Sequence, residues 1–242
     1  MLVVSVRRAE FMFKIVIRYN LRKAISWFGV YSIRERRFVL ENIDHSSSKK
    51  ILDIGCCESL LPEELGKRGH MVFGIDIRDY GRCRNFKFLK ADITKRDSLP
   101  FNDRTFDYII SLSTLEHIGL GYYGGDLNRR GDRMAVEVIH SLLKPDGKFL
   151  VTLPFSGKYT ENSFQRIHTK ESFQTLISGY FRIEKQQFWI PKSKKNWIAA
   201  SEEEVEKEYA TYRESNNACF VLKKYSGGRR CQVKSRIITK IR

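Results

Sequence analysis

Residues 51–59 read Ile51-Leu52-Asp53-Ile54-Gly55-Cys56-Cys57-Glu58-Ser59. Four mostly apolar residues run into a glycine turn, and a helical stretch follows over about 60–68. A second short strand, Met71-Val72-Phe73-Gly74-Ile75, ends at Asp76. Working outward, the pattern recurs. A third strand (Lys87–Lys90) reaches Asp92, and a fourth runs Phe106–Ser111. A helix over about 132–143 and a turn, Lys144-Pro145-Asp146-Gly147, lead to a fifth strand, Lys148–Leu153. Short apolar strands alternating with helices predict parallel βαβ units with right-handed crossovers and helices on both faces of a doubly wound sheet. Beyond Leu153 the sequence predicts a helix near 170–178, a strand at Phe181–Trp189, an acidic helix at about 201–213 and a last strand at Ala218–Lys223. The expectation is an α/β fold with a mostly parallel, seven-stranded sheet and an antiparallel edge.

Around this body the charge is uneven. The 242 residues carry 44 Lys+Arg against 28 Asp+Glu, a net charge of +16. Residues 1–45 hold 9 basic and 4 acidic side chains, and residues 223–242 hold 8 basic and none acidic. The intervening body is close to neutral, so the ends, more than the body, favour a polyanion such as RNA or an anionic membrane. Residues 11–29 have helical period, with Lys14, Arg18 and Arg22 in a stripe beside an apolar face. Three segments are expected: a basic amphipathic extension over 1–45, the α/β domain over 46–224, and a basic tail over 225–242 hinged at Ser226-Gly227-Gly228. Five scattered cysteines show neither a disulfide framework nor metal-ligand spacing, which predicts a reducing, cytoplasmic setting and no metal centre. No uncharged run of the ~18 apolar residues that a transmembrane helix needs is present. The protein is expected to be soluble or peripheral to a membrane.

In a doubly wound sheet, ligands bind outside the carboxyl ends of the strands. The residues there are Asp53 to Glu58 after strand one, Asp76 with Ile77 after strand two, Asp92 with Ile93 after strand three, and Ser111 through Glu116 and His117 after strand four. Gly55 permits a tight turn and close approach of a ligand to the backbone. Asp76 follows Asp53 at a distance suited to a carboxylate that accepts both hydroxyls of a ribose. The pyrophosphate cradle G-x-G-x-x-G is absent, since Cys57 and Leu60 stand at its second and third glycine positions. A nicotinamide dinucleotide therefore loses its backbone cradle, whereas a cofactor without phosphate does not.

The ordered set ILDIGC, GIDIRDY, KADI, LPFNDRTFDYIISLSTLEHIG and LLKPDGKFLVTLPF resembles the motifs of class I S-adenosylmethionine-dependent methyltransferases over residues 48–155, with sheet-completing elements similar to about 223. The LEHIGLGYYGGD stretch is similar to a small methyltransferase-like branch. The resemblance implies a Rossmann-like methyltransferase fold, with S-adenosylmethionine as cofactor. Asp53, Gly55, Cys56, Cys57, Glu58 and Ser111 would lie about its methionine moiety, Asp76 and Ile77 about the ribose, and Asp92 with Ile93 about the adenine. The chain departs from the family's commoner loop, which has glycines where Cys57 and Ser59 stand. Glu58 has two readings, pairing with the cofactor's amino group or serving as a first-turn carboxylate. Cys56 and Cys57 read as small packing residues.

Methyl transfer relies on positioning and exclusion of water, and a hydroxyl acceptor also needs a general base. His117 is the candidate because it titrates near neutrality just past strand four. Glu116 adjoins it, and His168 is a second choice. Tyr122, Tyr123 and Asp126, in a glycine-rich loop, are candidate substrate contacts. Asp126 and Asp132 are weak candidates for a divalent ion. Strand four lacks the Asn/Asp-Pro-Pro-aromatic sequence of enzymes that methylate nucleic-acid amines. The expected acceptor is a small molecule or saccharide, methylated at oxygen. RNA methylation and non-catalytic cofactor binding are the alternatives.

Overall fold

A computed structural model describes residues 30–193, 196–207 and 216–225. The helix expected over 11–29, the hinge, the tail and the end of the acidic helix lie outside the described residues. Among the described residues, five α-helices, α1 (Val30–Glu41), α2 (Leu61–Lys67), α3 (Gly131–Leu142), α4 (Lys170–Ile177) and α5 (Glu202–Lys207), accompany ten strands. The strands are β1 (Lys50–Ile54), β2 (Met71–Asp76), β3 (Lys87–Lys90), β4 (Phe106–Leu112), β5 (Leu143–Phe155), β6 (Thr160–Glu161), β7 (Arg166–Ile167), β8 (Phe181–Pro191), β9 (Trp197–Ala200) and β10 (Asn216–Lys224).

Eight strands form one sheet in the order β3-β2-β1-β4-β5-β10-β8-β9, and β6 pairs only with β7. The first five are mutually parallel, whereas β10 pairs antiparallel with both β5 and β8, and β9 pairs antiparallel with β8. The sheet thus has one strand more than expected, because Trp197–Ala200 turns back onto β8. The order reverses between β1 and β4, where ligands gather in open parallel sheets.

Alternation along the strands sends side chains to two cores. Leu52 and Ile54 of β1, Ile109 of β4 and Phe220 of β10 join the core beneath α3 and α4. Ile51, Tyr108, Ile110 and Val221 join a second core with Phe38 and Val39 of α1 and Leu61 and Leu65 of α2. Helix α1 therefore packs as part of the body, although the sequence reading placed it in an appended segment. Its end is tied to β1 through a directional chain. His45 Nε2 donates to the Leu40 carbonyl, His70 Nε2 donates to His45 Nδ1 (2.8 Å), and the Lys49 N–H donates to His70 Nδ1.

The expected turn at Lys144–Gly147 is instead carried within β5 as a bulge. Leu143 pairs with Phe106 and Lys148 with Tyr108, so four residues of β5 oppose one of β4. The ion pair from Lys144 Nζ to Asp107 Oδ1, at 2.6 Å, anchors it.

Candidate active site

A cavity of about 420 Å³ opens at the carboxyl ends of β1, β2 and β4 and after β3. Its floor is the turn after β1. Gly55 has φ +73°, and a Cβ there would come within 2.3 Å of the Thr114 side chain, so only glycine lets the chain turn under this residue. The following turn, Cys56–Glu58, buries both cysteines. Cys56 Sγ packs on Gly74, and burial pushes its thiol pKa up, which leaves it inert at neutral pH.

Asp76 closes one side. Its Oδ2 accepts from the Cys57 N–H (3.0 Å) and its Oδ1 from the Arg78 N–H (2.9 Å). The Arg78 guanidinium folds back on the same carboxylate at 3.2 Å and pairs with Glu58 at 2.7 Å. It also lies 4.5 Å from the Tyr123 ring centroid, roofing the cavity. Ile77, Asp92 and Ile93 line the adjoining wall. Behind the turn, Asp53 is buried with neither carboxylate oxygen partnered. Burial and then the nearby Asp76 push its pKa up to about 8.

Of the expected cofactor residues, Gly55, Glu58, Asp76, Ile77, Asp92 and Ile93 line this cavity, as do Tyr123 and Asp126 of the expected substrate set. The others stand elsewhere. Asp53 lies behind the turn, and Cys56 and Cys57 belong to the second core. Ser111 is fully buried within β4. Tyr122 is more than half exposed and turns its ring onto Phe164. His168 is buried beside Phe173, where burial and then Arg166 lower its pKa to about 4. The weak divalent-ion pair is otherwise engaged: Asp126 pairs with Lys95 at 2.9 Å and Asp132 with Arg166 at 3.4 Å.

The loop after β4 carries the most reactive geometry. The His117 ring is partly buried, with Nδ1 2.5 Å from the Phe164 carbonyl, which can only accept. The proton of the neutral ring therefore sits on Nδ1, and Nε2 presents a lone pair. Burial lowers the His117 pKa, so the ring is neutral at pH 7. Phe164 and Tyr123 pack on its edges, with centroids at 4.6 and 5.3 Å. The loop is fixed from below by the fully buried Arg166. Its guanidinium donates to the carbonyls of Ile118 and Arg129 and to Glu161.

Three residues were not singled out by sequence. Glu35 of α1 accepts at Oε1 from Ser113 Oγ and Asn217 Nδ2, both at 2.7 Å, and so joins α1, the β4 loop and β10. Ser113 holds φ +43°, a left-handed conformation rare for a non-glycine residue. No local pattern marks Glu35 or Asn217, which lie 182 positions apart.

The cavity suits S-adenosylmethionine. A glycine turn admits close approach, a carboxylate stands at the end of β2, and apolar Ile77 and Ile93 line the wall with Asp92. The Asp53 carboxyl, two residues before the turn, is buried without a hydrogen-bond partner.

Residues 31–198 match a family described as a methyltransferase domain. The ubiquinone biosynthesis O-methyltransferase of Vibrio campbellii is 30% identical over 89 residues, or 34% of this chain. The chain spans about 38% of the length of that relative. Among solved structures, the 1,6-didemethyltoxoflavin-N1-methyltransferase of Burkholderia thailandensis, with bound 1,6-didemethyltoxoflavin and S-adenosylhomocysteine, superposes with a TM-score of 0.59 at 15% identity, covering 91% of this chain and 88% of that one. The [4+2]-cyclase SpnF superposes at 0.54 with 17% identity, covering 80% and 81%. These two likenesses establish the fold alone, and the cyclase shows that the fold hosts more than one chemistry. With more than half its length matched, the chain belongs to the methyltransferase-domain family and has the fold of the class I enzymes that use S-adenosylmethionine.

Proposed function

We propose that this protein transfers the methyl group of S-adenosylmethionine to an oxygen of a small-molecule acceptor. The observation that carries the reading is His117. Its tautomer is fixed by the Phe164 carbonyl, its ring is neutral, and it lines both the large cavity and a smaller one beside it. Bound in the large cavity, the cofactor supplies an electrophilic methyl carbon on a sulfonium and leaves as the thioether. Gly55 allows the backbone to approach the methionine moiety, Asp76 accepts from the ribose hydroxyls, and Asp92 and Ile93 flank the adenine. His117 Nε2 takes the acceptor's hydroxyl proton as the oxygen gains its methyl, and the imidazolium later returns that proton to solvent. Tyr123 and the Arg78 guanidinium cover the site and exclude water.

Oxygen is favoured over nitrogen because a neutral base at this position serves a hydroxyl, whereas an amine needs only to be uncharged. The O-methyltransferase relative points the same way. Neither the relatives nor the site supports the RNA or saccharide expectation, and the basic ends lie outside the described residues. Among the described residues, no helix is long and apolar enough to cross a membrane.

The experiment is a methyl-transfer assay with radiolabelled cofactor and a panel of phenols and diols, on wild type and His117→Asn. Asparagine keeps a donor for the Phe164 carbonyl and removes the base. Loss of ~10²–10⁴-fold in kcat/KM is expected, the usual scale of general-base catalysis. The wild-type acidic limb should disappear while affinity for S-adenosylhomocysteine persists. A variant with the wild-type rate and pH profile would remove His117 from the chemistry. Cofactor binding with no turnover on any acceptor would favour a non-catalytic binding protein.

A further inference from the structure

Beside the cofactor cavity lies a second one of about 210 Å³. The two share Glu35, Ser113 and His117, so these residues form the neck between them. Beyond the neck, the smaller cavity is walled by Arg34, Glu116, Gln165 and Trp197. The Arg34 guanidinium lies 4.4 Å from the Trp197 ring centroid, giving a flat wall. A cavity of ~150 Å³ accommodates benzene, so this one has room for a substituted single ring.

The polar groups at its inner end are unbalanced. Glu116 is 1% exposed, and its Oε2 has no hydrogen-bond partner. The lone pair of His117 Nε2 stands 3.8 Å from the other oxygen, Oε1. Glu35 faces the same space with Oε1 already accepting from Ser113 and Asn217. Burial, reinforced by the neighbouring Glu35, raises the Glu116 pKa well above the usual carboxylate range. Glu116 therefore keeps its proton at neutral pH, and a carboxyl with an unpartnered oxygen stands beside an imidazole lone pair. A buried polar atom left unpaired is costly, so a ligand that supplies a hydrogen-bond partner to each group gains from both. With the carboxyl only 3.8 Å from the imidazole, the ligand groups that meet them must sit on neighbouring atoms. A carboxylate at this end has no donor to offer the His117 lone pair.

We propose that the second cavity is the acceptor pocket and that it selects a compact ring bearing two adjacent donors, a hydroxyl facing His117 and a neighbouring hydroxyl or amine read by Glu116. This rests on the reading of His117 as the proton acceptor. Glu116 then acts as a specificity residue and Glu35 as the positioning residue that holds the neck open between the two cavities.

The test is a binding measurement. The full chain, saturated with S-adenosylhomocysteine, is titrated by ligand-observed NMR with catechol, 2-aminophenol, resorcinol, phenol and benzoate. Catechol and 2-aminophenol should bind at least about tenfold more tightly than phenol or resorcinol, the gain expected of one well-placed hydrogen bond. Benzoate, with no donor for His117, should bind no more tightly than phenol. In Glu116→Leu the preference should collapse to within about twofold while affinity for S-adenosylhomocysteine is retained. Equal binding of all five probes by the wild type would overturn the proposal without recourse to any variant. So would a preference that survives in Glu116→Leu. Failure of S-adenosylhomocysteine itself to bind would overturn the methyltransferase reading and the pocket with it, whereas cofactor binding without probe selectivity would overturn the pocket alone.

Discussion

Substituting Gly55 by alanine tests the turn on which the cofactor cavity rests. Two costs add there. At φ +73° an L side chain pays about 1–2 kcal/mol for the left-handed conformation. The new Cβ would also lie 2.3 Å from both Thr114 Cγ2 and Oγ1, an overpacking that costs about 1–3 kcal/mol. Gly55→Ala should therefore destabilise the protein by roughly 2–5 kcal/mol. Thr114→Ala removes both atoms and the hydrogen bond from Oγ1 to the Leu112 carbonyl (3.0 Å), for a loss of about 1 kcal/mol. In the double variant most of the clash disappears while the backbone strain stays. Urea unfolding of the four proteins should thus show a favourable coupling of about 1–2 kcal/mol, at unchanged m-value. Additivity to within ~0.5 kcal/mol would show that Thr114 does not press on this turn.

Two further outcomes follow from the electrostatics. The Arg78 guanidinium competes for the Asp76 carboxylate, where the ribose is proposed to bind, through partly exposed contacts worth about 1 kcal/mol after solvent screening. Arg78→Ala should tighten S-adenosylhomocysteine about fivefold in equilibrium dialysis, and a tenfold weakening would mean that Arg78 holds the cofactor instead. The second concerns acid. Burial lowers the pKa of His70, His117, His140 and His168, so each favours the fold as the neutral ring. That stability is complete above the unfolded value near 6.5 and is lost as pH falls toward the folded values. His168, lowered to about 4, accounts for about 3 kcal/mol of the loss. Urea unfolding between pH 7.5 and 4.5 should be flatter in His168→Phe than in wild type, and identical slopes would contradict the assignment.

The parallel half of the fold was legible because its strands are short apolar runs that end at chemically marked residues. Gly55, Asp76, Asp92 and His117 all follow strands, and a parallel sheet brings such ends together whatever their separation in sequence. The antiparallel half was harder. Trp197–Ala200 is no shorter than Lys87–Lys90 but lacks its place in the strand–helix alternation, and Lys144–Gly147 has turn composition yet is carried in β5, where Asp107 holds Lys144. At the site, sequence order gave no sign of which way a side chain points. Cys56, Cys57 and Asp53 flank Gly55 but face inward, while Tyr122 and Tyr123 are neighbours of which only the second lines the cavity. Glu35 was hidden for another reason. It lies far in sequence from its partners, 78 positions from Ser113 and 182 from Asn217.

The central claim is that the large cavity takes S-adenosylmethionine, and calorimetric titration of the full chain tests it most directly. Wild type should bind S-adenosylhomocysteine at one site per chain and show no heat with NAD, and Asp76→Ala should weaken that binding at least about tenfold, the loss of one charge-assisted hydrogen bond. No binding of S-adenosylhomocysteine by a folded wild type, or equal binding of NAD, would contradict it.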